Sequence, residues 1–177
     1  SDAYVVTTTG AAEGVLNNAN GTDVVFHNTL KKTLSLEKVL AGDGANENNA
    51  FNFHFLMLSK NGSVLSSNTL FASSDDTTVT TVSRQDNGWY SFTMLGKGEV
   101  EITGIPGDCA KILVHENNLG FGYTATYQNE DGSVTLTEEE APNGSGHGYA
   151  LTYNDAQHQT HVGYKVTNTR ETGSLVI

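Results

Sequence analysis

Apolar and polar residues alternate in short segments along most of the chain. Alternation with a period of two residues is typical of β-strands that bury one face. Ten such segments cover residues 33–39, 51–58, 77–82, 89–94, 99–102, 111–115, 123–127, 133–137, 149–153 and 163–167. Asn-Gly or Asp-Gly pairs at 20–21, 61–62, 87–88, 131–132 and 143–144 favour the positive φ angles of tight turns. The pattern predicts an all-β, antiparallel β-sandwich of the immunoglobulin-like kind with very low helix content, and a loop over 138–146.

One strand ending occurs twice in the sequence. Residues 24–29 read VVFHNT and residues 164–169 read YKVTNT, so that Asn28 and Asn168 end matching segments. A spacing of about 140 residues suggests a tandem array. Residues 1–28 would then be the tail of an upstream repeat, or an extra or donated strand, and residues 29–170 one whole module. Residues 171–177 would start the next module or form a linker. Segments 4–9 and 22–26 are expected to be strands that pair with the domain's sheet edge or with another molecule.

Three of the predicted strands end an inward-facing apolar row with a polar group. Lys38 is in phase with Leu34 and Leu36, Glu116 with Ile112 and Val114, and Asn168 with Tyr164 and Val166. Side chains two residues apart share a face of a strand, so an amine, a carboxyl group and a carboxamide are all expected to point toward the core. An unpaired buried lysine loses its proton or acquires a partner.

These three groups suffice for one covalent reaction. A neutral Lys38 amine can attack the side-chain carbonyl of Asn168, while a protonated Glu116 polarises that carbonyl and transfers the proton. Ammonia leaves, and an amide joins the two side chains. Simpler interpretations remain open: Lys38 could extend along the sheet edge into water, Glu116 could be a strand-end carboxylate, and Asn168 could form a turn.

The same segments resemble a known family. GEVEITGIPG at 98–107, KILVHE at 111–116, YKVTNT at 164–169 and LSLEKV at 34–39 are similar, in this order, to Cna B-type and FctA-like (streptococcal pilin) domains of Gram-positive surface proteins. The resemblance implies an intramolecular isopeptide bond with Lys38 as nucleophile, Asn168 as acceptor and Glu116 as the catalytic carboxyl group. Asn28 would be the acceptor of an upstream module whose lysine lies elsewhere.

The function that this resemblance implies is structural. We expect a stalk or shaft module of an extracellular, cell-wall-attached adhesin or pilus, with neighbouring modules of the same chain as partners. Self-association through residues 1–28 and a host-surface ligand are left open. No cofactor, no metal and no enzymatic activity beyond the single self-directed reaction are expected.

Composition narrows the range of partners. The 177 residues carry a net charge of −11 with only nine lysines and arginines, which disfavours binding to nucleic acid or to an anionic membrane surface. No apolar run approaches the length of a membrane-spanning helix. The single cysteine, Cys109, cannot form an internal disulfide and is interpreted as a small core or turn residue.

Other functions were considered from the same residues. The runner-up is a ligand- or carbohydrate-binding module, although Trp89, Tyr90 and Phe92 are expected to fill the core. His158 and His161 could bind a metal, but exposed loop histidines are favoured. A hydrolase would need paired carboxylates in a cleft, and Glu99, Glu101 and residues 138–140 are better explained as solvated groups.

Overall fold

The protein is described by a computed structural model that covers residues 4–9, 25–117, 122–157 and 159–173, with side chains described from residue 31 onward within these ranges. It contains thirteen strands and one short 3-10 turn, Asp155–Gln157. The strands are β1 Tyr4–Thr9, β2 Val25–Leu30, β3 Lys32–Ala41, β4 Ala50–Ser59, β5 Phe71–Ser73, β6 Ser83–Arg84, β7 Tyr90–Leu95, β8 Gly98–Ile105, β9 Cys109–Asn117, β10 Thr124–Asn129, β11 Glu138–Glu140, β12 His147–Thr152 and β13 His161–Thr169.

Two sheets pack face to face and confirm the predicted β-sandwich. One sheet has the order β10-β13-β3-β8-β5, and the other has the order β11-β12-β9-β4-β7-β6. Alternate residues of both sheets fill the space between them, because one face of each strand excludes water. The core includes Leu34, Leu36, Phe53, Phe55, Val100, Ile102, Ile112, Val114, Tyr164 and Val166.

The first and last strands of the sandwich are neighbours and run parallel. β3 pairs with β13 along its length, from His161 opposite Thr33 to Thr169 opposite Ala41. β3 pairs on its other side with β8 in the antiparallel sense. The chain therefore enters the sandwich at one end of β3 and leaves it from β13 at the opposite end.

Most of the predicted strands are confirmed, and two are wrong. Segments 77–82 and 133–137 form only isolated bridges, Val79 to Met94 and Thr135 to Gln128. Each segment borders one strand at a sheet edge and makes a few backbone hydrogen bonds to it, so its alternation does not produce a ladder. The predicted loop over 138–146 contains β11, and the short strands β5 and β6 were not predicted.

The turn prediction is confirmed where the structure describes it. The glycines of four predicted pairs have positive φ angles, namely Gly62, Gly88, Gly132 and Gly144. An Asn or Asp followed by such a glycine suits a tight turn, because only glycine adopts this conformation without strain. The pair at 20–21 lies outside the described residues.

β1 and β2 form a separate two-stranded sheet. They pair in the antiparallel sense, from Tyr4 opposite Leu30 to Thr9 opposite Val25. Residues 22–24 of the expected second segment lie outside the described residues. In this register, Asn28 lies opposite Val6.

The segment that follows β13 is fixed to the loop between β3 and β4. The N–H of Gly44 donates to the carbonyl of Arg170 at 3.0 Å. The carboxylate of Asp43 accepts hydrogen bonds from the N–H and from the hydroxyl group of Thr172, both at 2.7 Å. Gly42 has a φ of 84°, and a Cβ there would lie 2.2 Å from the carbonyl oxygen of Arg170, so only glycine allows this approach. We call residues 42–44 with 170–172 the exit clasp.

Candidate functional site

The structure brings Lys38, Glu116 and Asn168 together in the interior. Lys38 lies on β3 and Asn168 on the adjacent β13, where Lys38 is opposite Val166. Glu116 comes from β9 in the facing sheet. The exposed fractions are 2% for Lys38, 7% for Glu116 and 0% for Asn168. All three are therefore buried polar groups that need partners inside the protein.

The carboxyl group of Glu116 bridges the other two side chains. Lys38 Nζ donates to Glu116 Oε2 at 2.6 Å, and Asn168 Nδ2 donates to Glu116 Oε1 at 2.9 Å. Asn168 Oδ1 is buried and has no hydrogen-bond partner among the described residues. The sequence suggested that Glu116 faces the carbonyl oxygen of the asparagine, whereas the structure places it against the nitrogen.

The environment of Lys38 favours the neutral amine. Burial, opposed by the charge and hydrogen bond of Glu116, lowers the pKa of Lys38 from 10.5 to about 8. The nitrogen lies 4.2 Å from the centre of the Phe51 ring and 5.2 Å from that of Phe53. These rings occupy space that water would otherwise fill. With a pKa of about 8, roughly a tenth of Lys38 is a neutral nucleophile at pH 7, far more than for an ordinary lysine.

Tyr127 supports the backbone of Glu116 and was not predicted as a site residue. Its hydroxyl oxygen accepts the N–H of Glu116 at 2.7 Å. Its ring stacks on that of Tyr149 with centroids 3.8 Å apart. The alternation of residues 123–127 predicts that Tyr127 faces inward, but nothing in the sequence indicates which group its hydroxyl contacts.

The contacts of Glu116 suit a proton transfer between two nitrogen atoms. One carboxyl oxygen touches the amine that would attack, and the other touches the amide nitrogen that would leave. A carboxyl group in this position can take a proton from the first nitrogen and give one to the second without a change in its own charge.

Comparisons with known proteins place the domain in a family. The model of DUF7601, described as a domain of unknown function, matches residues 32–145. The chain belongs to the DUF7601 family. The match includes Lys38 and Glu116 and ends before β13, which carries Asn168. No curated protein matches the sequence of this DUF7601 domain.

Solved structures with the same fold are pilus proteins. A pilus-presented adhesin, Spy0125 (Cpa), is 17% identical with a TM-score of 0.51, over 81% of this chain and 28% of the adhesin. The major pilin from Streptococcus pyogenes is 15% identical with a TM-score of 0.48, over 96% of this chain and 62% of the pilin. The DUF7601 chain thus spans less than two thirds of either protein. At these identities the comparison shows the fold.

The histidines of the DUF7601 domain do not form a metal site in the described residues. His158 lies outside them. His161 was expected in an exposed loop but begins β13, where Thr33 Oγ1 lies 2.8 Å from Nδ1 and Glu130 Oε1 lies 3.2 Å from Nε2. These two contacts therefore fix the orientation of the His161 ring.

The aromatic residues considered for sugar binding are buried. Trp89, Tyr90 and Phe92 are at most 2% exposed. Tyr90 and Phe92 fill the core between the sheets as expected, whereas Trp89 packs in a separate cluster with Leu56, Leu58, Leu113 and Ala141. Cys109 is also fully buried, and burial raises the pKa of its thiol to about 11, so the thiol stays protonated. The candidate hydrolase carboxylates are solvated, with Glu99 and Glu101 exposed on β8 and residues 138–140 exposed on β11.

Lys32 is a second buried lysine that the sequence analysis missed. It is 1% exposed, and its nitrogen donates to the carbonyl of Cys109 at 2.6 Å and to Asp155 Oδ1 at 2.9 Å. It also lies 4.7 Å from the centre of the Tyr153 ring. Lys32 is two residues before Leu34, so the period of a strand places both on the inward face, and this spacing could have identified it. Asp155 is largely exposed, so this ion pair joins a buried nitrogen to a carboxylate at the surface.

The structure gives only the backbone position of Asn28, the remaining predicted acceptor. This residue lies within β2, and its side chain is outside the described part of the structure. Within the described residues, no helix has the length and hydrophobicity needed to cross a membrane.

Proposed function

We propose that residues 29–170 form a structural stalk module of a Gram-positive cell-surface adhesin or pilus, stabilised by an amide between Lys38 and Asn168. The observation that carries this proposal is the bridging contact of Glu116. A buried carboxyl group that touches both a neutralised amine and a carboxamide nitrogen is costly to maintain unless it serves a reaction or a strong pairing.

The reaction follows from these contacts. The neutral Lys38 nitrogen attacks the side-chain carbonyl carbon of Asn168, and a C–N bond forms. Glu116 takes a proton from the attacking nitrogen and gives one to the amide nitrogen of Asn168. The old C–N bond breaks, ammonia leaves, and the carboxyl group regains its starting state. The fold supplies the effective concentration that an amide leaving group requires.

The position of the bond suits a protein under tension. β3 and β13 are parallel neighbours, so a pull on the two ends of the module shears one strand along the other. An amide between Lys38 and Asn168 carries that load directly from the first strand to the last. The sequence between the two residues would then be protected from unfolding by force.

The fold comparison and the composition support an extracellular role. The fold is shared with a pilus-presented adhesin, and the resemblance to Cna B-type and FctA-like domains indicates the same class of protein. A single buried cysteine leaves the domain without an internal disulfide, and an amide is insensitive to reductants. Neighbouring modules of the same chain are the proposed partners.

The register of β1 and β2 supports a tandem arrangement. Asn28 lies opposite Val6 in that sheet, and Asn168 lies opposite Ala125 in the β10–β13 pair. Asn168 is the second-to-last residue of β13 and Asn28 the third-to-last of β2, and each strand pairs there with an antiparallel neighbour. We therefore propose that residues 1–28 belong to the end of an upstream module, with Asn28 as the acceptor for a lysine of that module.

Intact mass of the denatured protein tests the proposed bond. The wild-type chain should be lighter than its sequence mass by one ammonia, and Glu116→Ala should have the full mass. Glu99→Ala is the matched control, because it removes a carboxylate that is exposed on β8 and not the one that lies between the two nitrogens. A proteolytic fragment joining the peptides of Lys38 and Asn168 would locate the bond. Full mass in the folded wild type would overturn the proposal.

A further inference from the structure

We infer that Tyr127 is a positioning residue for the crosslinking reaction, which it serves by holding the backbone of Glu116 and by keeping water away from its carboxyl group. This inference rests on the proposed function. It concerns a residue that touches neither Lys38 nor Asn168 in any described hydrogen bond.

The N–H of Glu116 lacks a strand partner in the sheet. β9 pairs with β12 only from Lys111 opposite Thr152 to Val114 opposite Tyr149, and the two strands separate beyond that point. A buried backbone N–H without a partner is costly. The hydroxyl group of Tyr127 comes from the other sheet and supplies the missing acceptor at 2.7 Å. The carboxyl group of Glu116 is held where it reaches both nitrogens because its backbone is fixed in this way.

A cavity borders both Tyr127 and Glu116. Its volume is about 410 Å³, and its lining includes Glu116, Ala125, Tyr127 and Tyr149 together with polar side chains such as those of Asn117 and Glu138. A polar cavity of this size holds water. Ala125 is directly opposite Asn168 on the neighbouring strand. Neither Lys38 nor Asn168 lines this space, and the side chain of Glu116 is fully buried although the residue borders it. The stacked rings of Tyr127 and Tyr149 are therefore placed to keep its water from the reacting groups.

Removal of the Tyr127 hydroxyl group should admit water to the reacting groups. In Tyr127→Phe, the N–H of Glu116 must find a water molecule from the cavity as its acceptor. That water brings solvent closer to the side chain of Glu116 and to Lys38, whose nitrogen donates to it at 2.6 Å. Because burial is the main cause of the low pKa of Lys38, hydration moves this pKa back toward 10.5. Less neutral amine is then present at pH 7, and Glu116 is held less firmly.

The test follows the mass of the full chain during refolding. Protein recovered unfolded from inclusion bodies, with the full mass of the unreacted chain, is dissolved in guanidinium and diluted at several pH values. Samples are quenched in acid and weighed, which gives the rate of ammonia loss against pH. Tyr127→Phe should react about tenfold more slowly at pH 7, with the midpoint of its pH profile shifted upward. Tyr90→Phe is the matched control. The hydroxyl group of Tyr90 also accepts a partly buried backbone N–H, that of Ser67 at 2.8 Å, and contacts none of the three reacting residues by a hydrogen bond. This variant should keep the wild-type midpoint.

The outcomes separate the two proposals. Full mass in the wild type would overturn both the crosslink and the role of Tyr127. Ammonia loss in the wild type with the same pH midpoint in Tyr127→Phe and Tyr90→Phe would overturn only the role of Tyr127. A second measurement uses Asn168→Ala as an unreacted background, in which NMR titration of Lys38 with and without Tyr127→Phe measures the pKa of Lys38 directly. An unchanged pKa of Lys38 there would also reject the inference.

Discussion

Loss of the proposed amide should lower the stability of the domain by a large amount. Asn168→Ala prevents the bond and leaves the contact between Lys38 and Glu116 in place. The crosslink would close a loop from residue 38 to residue 168, and a loop of this length contributes about 5 kcal/mol through the reduced entropy of the unfolded chain. The hydrogen bond from Asn168 Nδ2 to Glu116 does not add to this figure, because that nitrogen leaves as ammonia when the bond forms. For a chain of this size, 5 kcal/mol corresponds to a fall in Tm of about 10–20 °C.

Thermal and guanidinium unfolding followed by circular dichroism would measure the difference. Asn52→Ala is the matched control, because Asn52 also has a buried amide oxygen without a partner and donates one side-chain hydrogen bond, to Thr93 at 3.1 Å. The control should lose only the local part of the stability. The denaturant slope should also rise in Asn168→Ala, since an unfolded chain without a crosslink exposes more surface. Equal losses in the two variants would refute the entropic argument.

Three further predictions follow from the buried ionisable groups. The rate of ammonia loss should rise with pH and level off above about 8, because the pKa of Lys38 is lowered to about 8 by burial; a flat profile in the mass assay would contradict a neutral-amine nucleophile. Burial, with a contribution from His54, lowers the pKa of His115 to about 4. The unfolded state therefore binds a proton at a higher pH than the folded state, and stability should fall as the pH drops from about 6.5 to 4. Urea midpoints should depend less on pH in His115→Gln than in the wild type, and an equal dependence would exclude His115 as the cause. Lys32→Met should cost about 1–3 kcal/mol, because the carbonyl of Cys109 loses its donor, yet the mass deficit should remain one ammonia; a changed deficit would show a second reaction.

The inward direction of the three site residues could be predicted from the sequence, because it depends only on the two-residue period of a strand. Lys38 follows Leu34 and Leu36 on one face of β3, and all three are buried. The bridging contact of Glu116 could not be predicted, since it depends on the spacing and alignment of two sheets. The orientation of the Asn168 amide toward Glu116 has the same origin.

Errors in the strand prediction have a common physical cause. Alternation measures whether a segment has two unlike faces, whereas a strand also requires a neighbour with free hydrogen-bonding groups. Segments 77–82 and 133–137 alternate but each lies at the edge of a sheet and forms one bridge. β11 consists of three glutamates, which no propensity would assign to a strand, and it forms because β12 offers it an edge.

The exit clasp determines the direction in which the chain leaves β13. Hydrogen bonds from Gly44 and to Asp43 hold residues 170–172 against the loop that follows β3. The chain therefore leaves β13 along a fixed path as far as Thr172. In an array of such units, a fixed exit from each domain would limit the bending between neighbours, and the array would stay straight over many repeats.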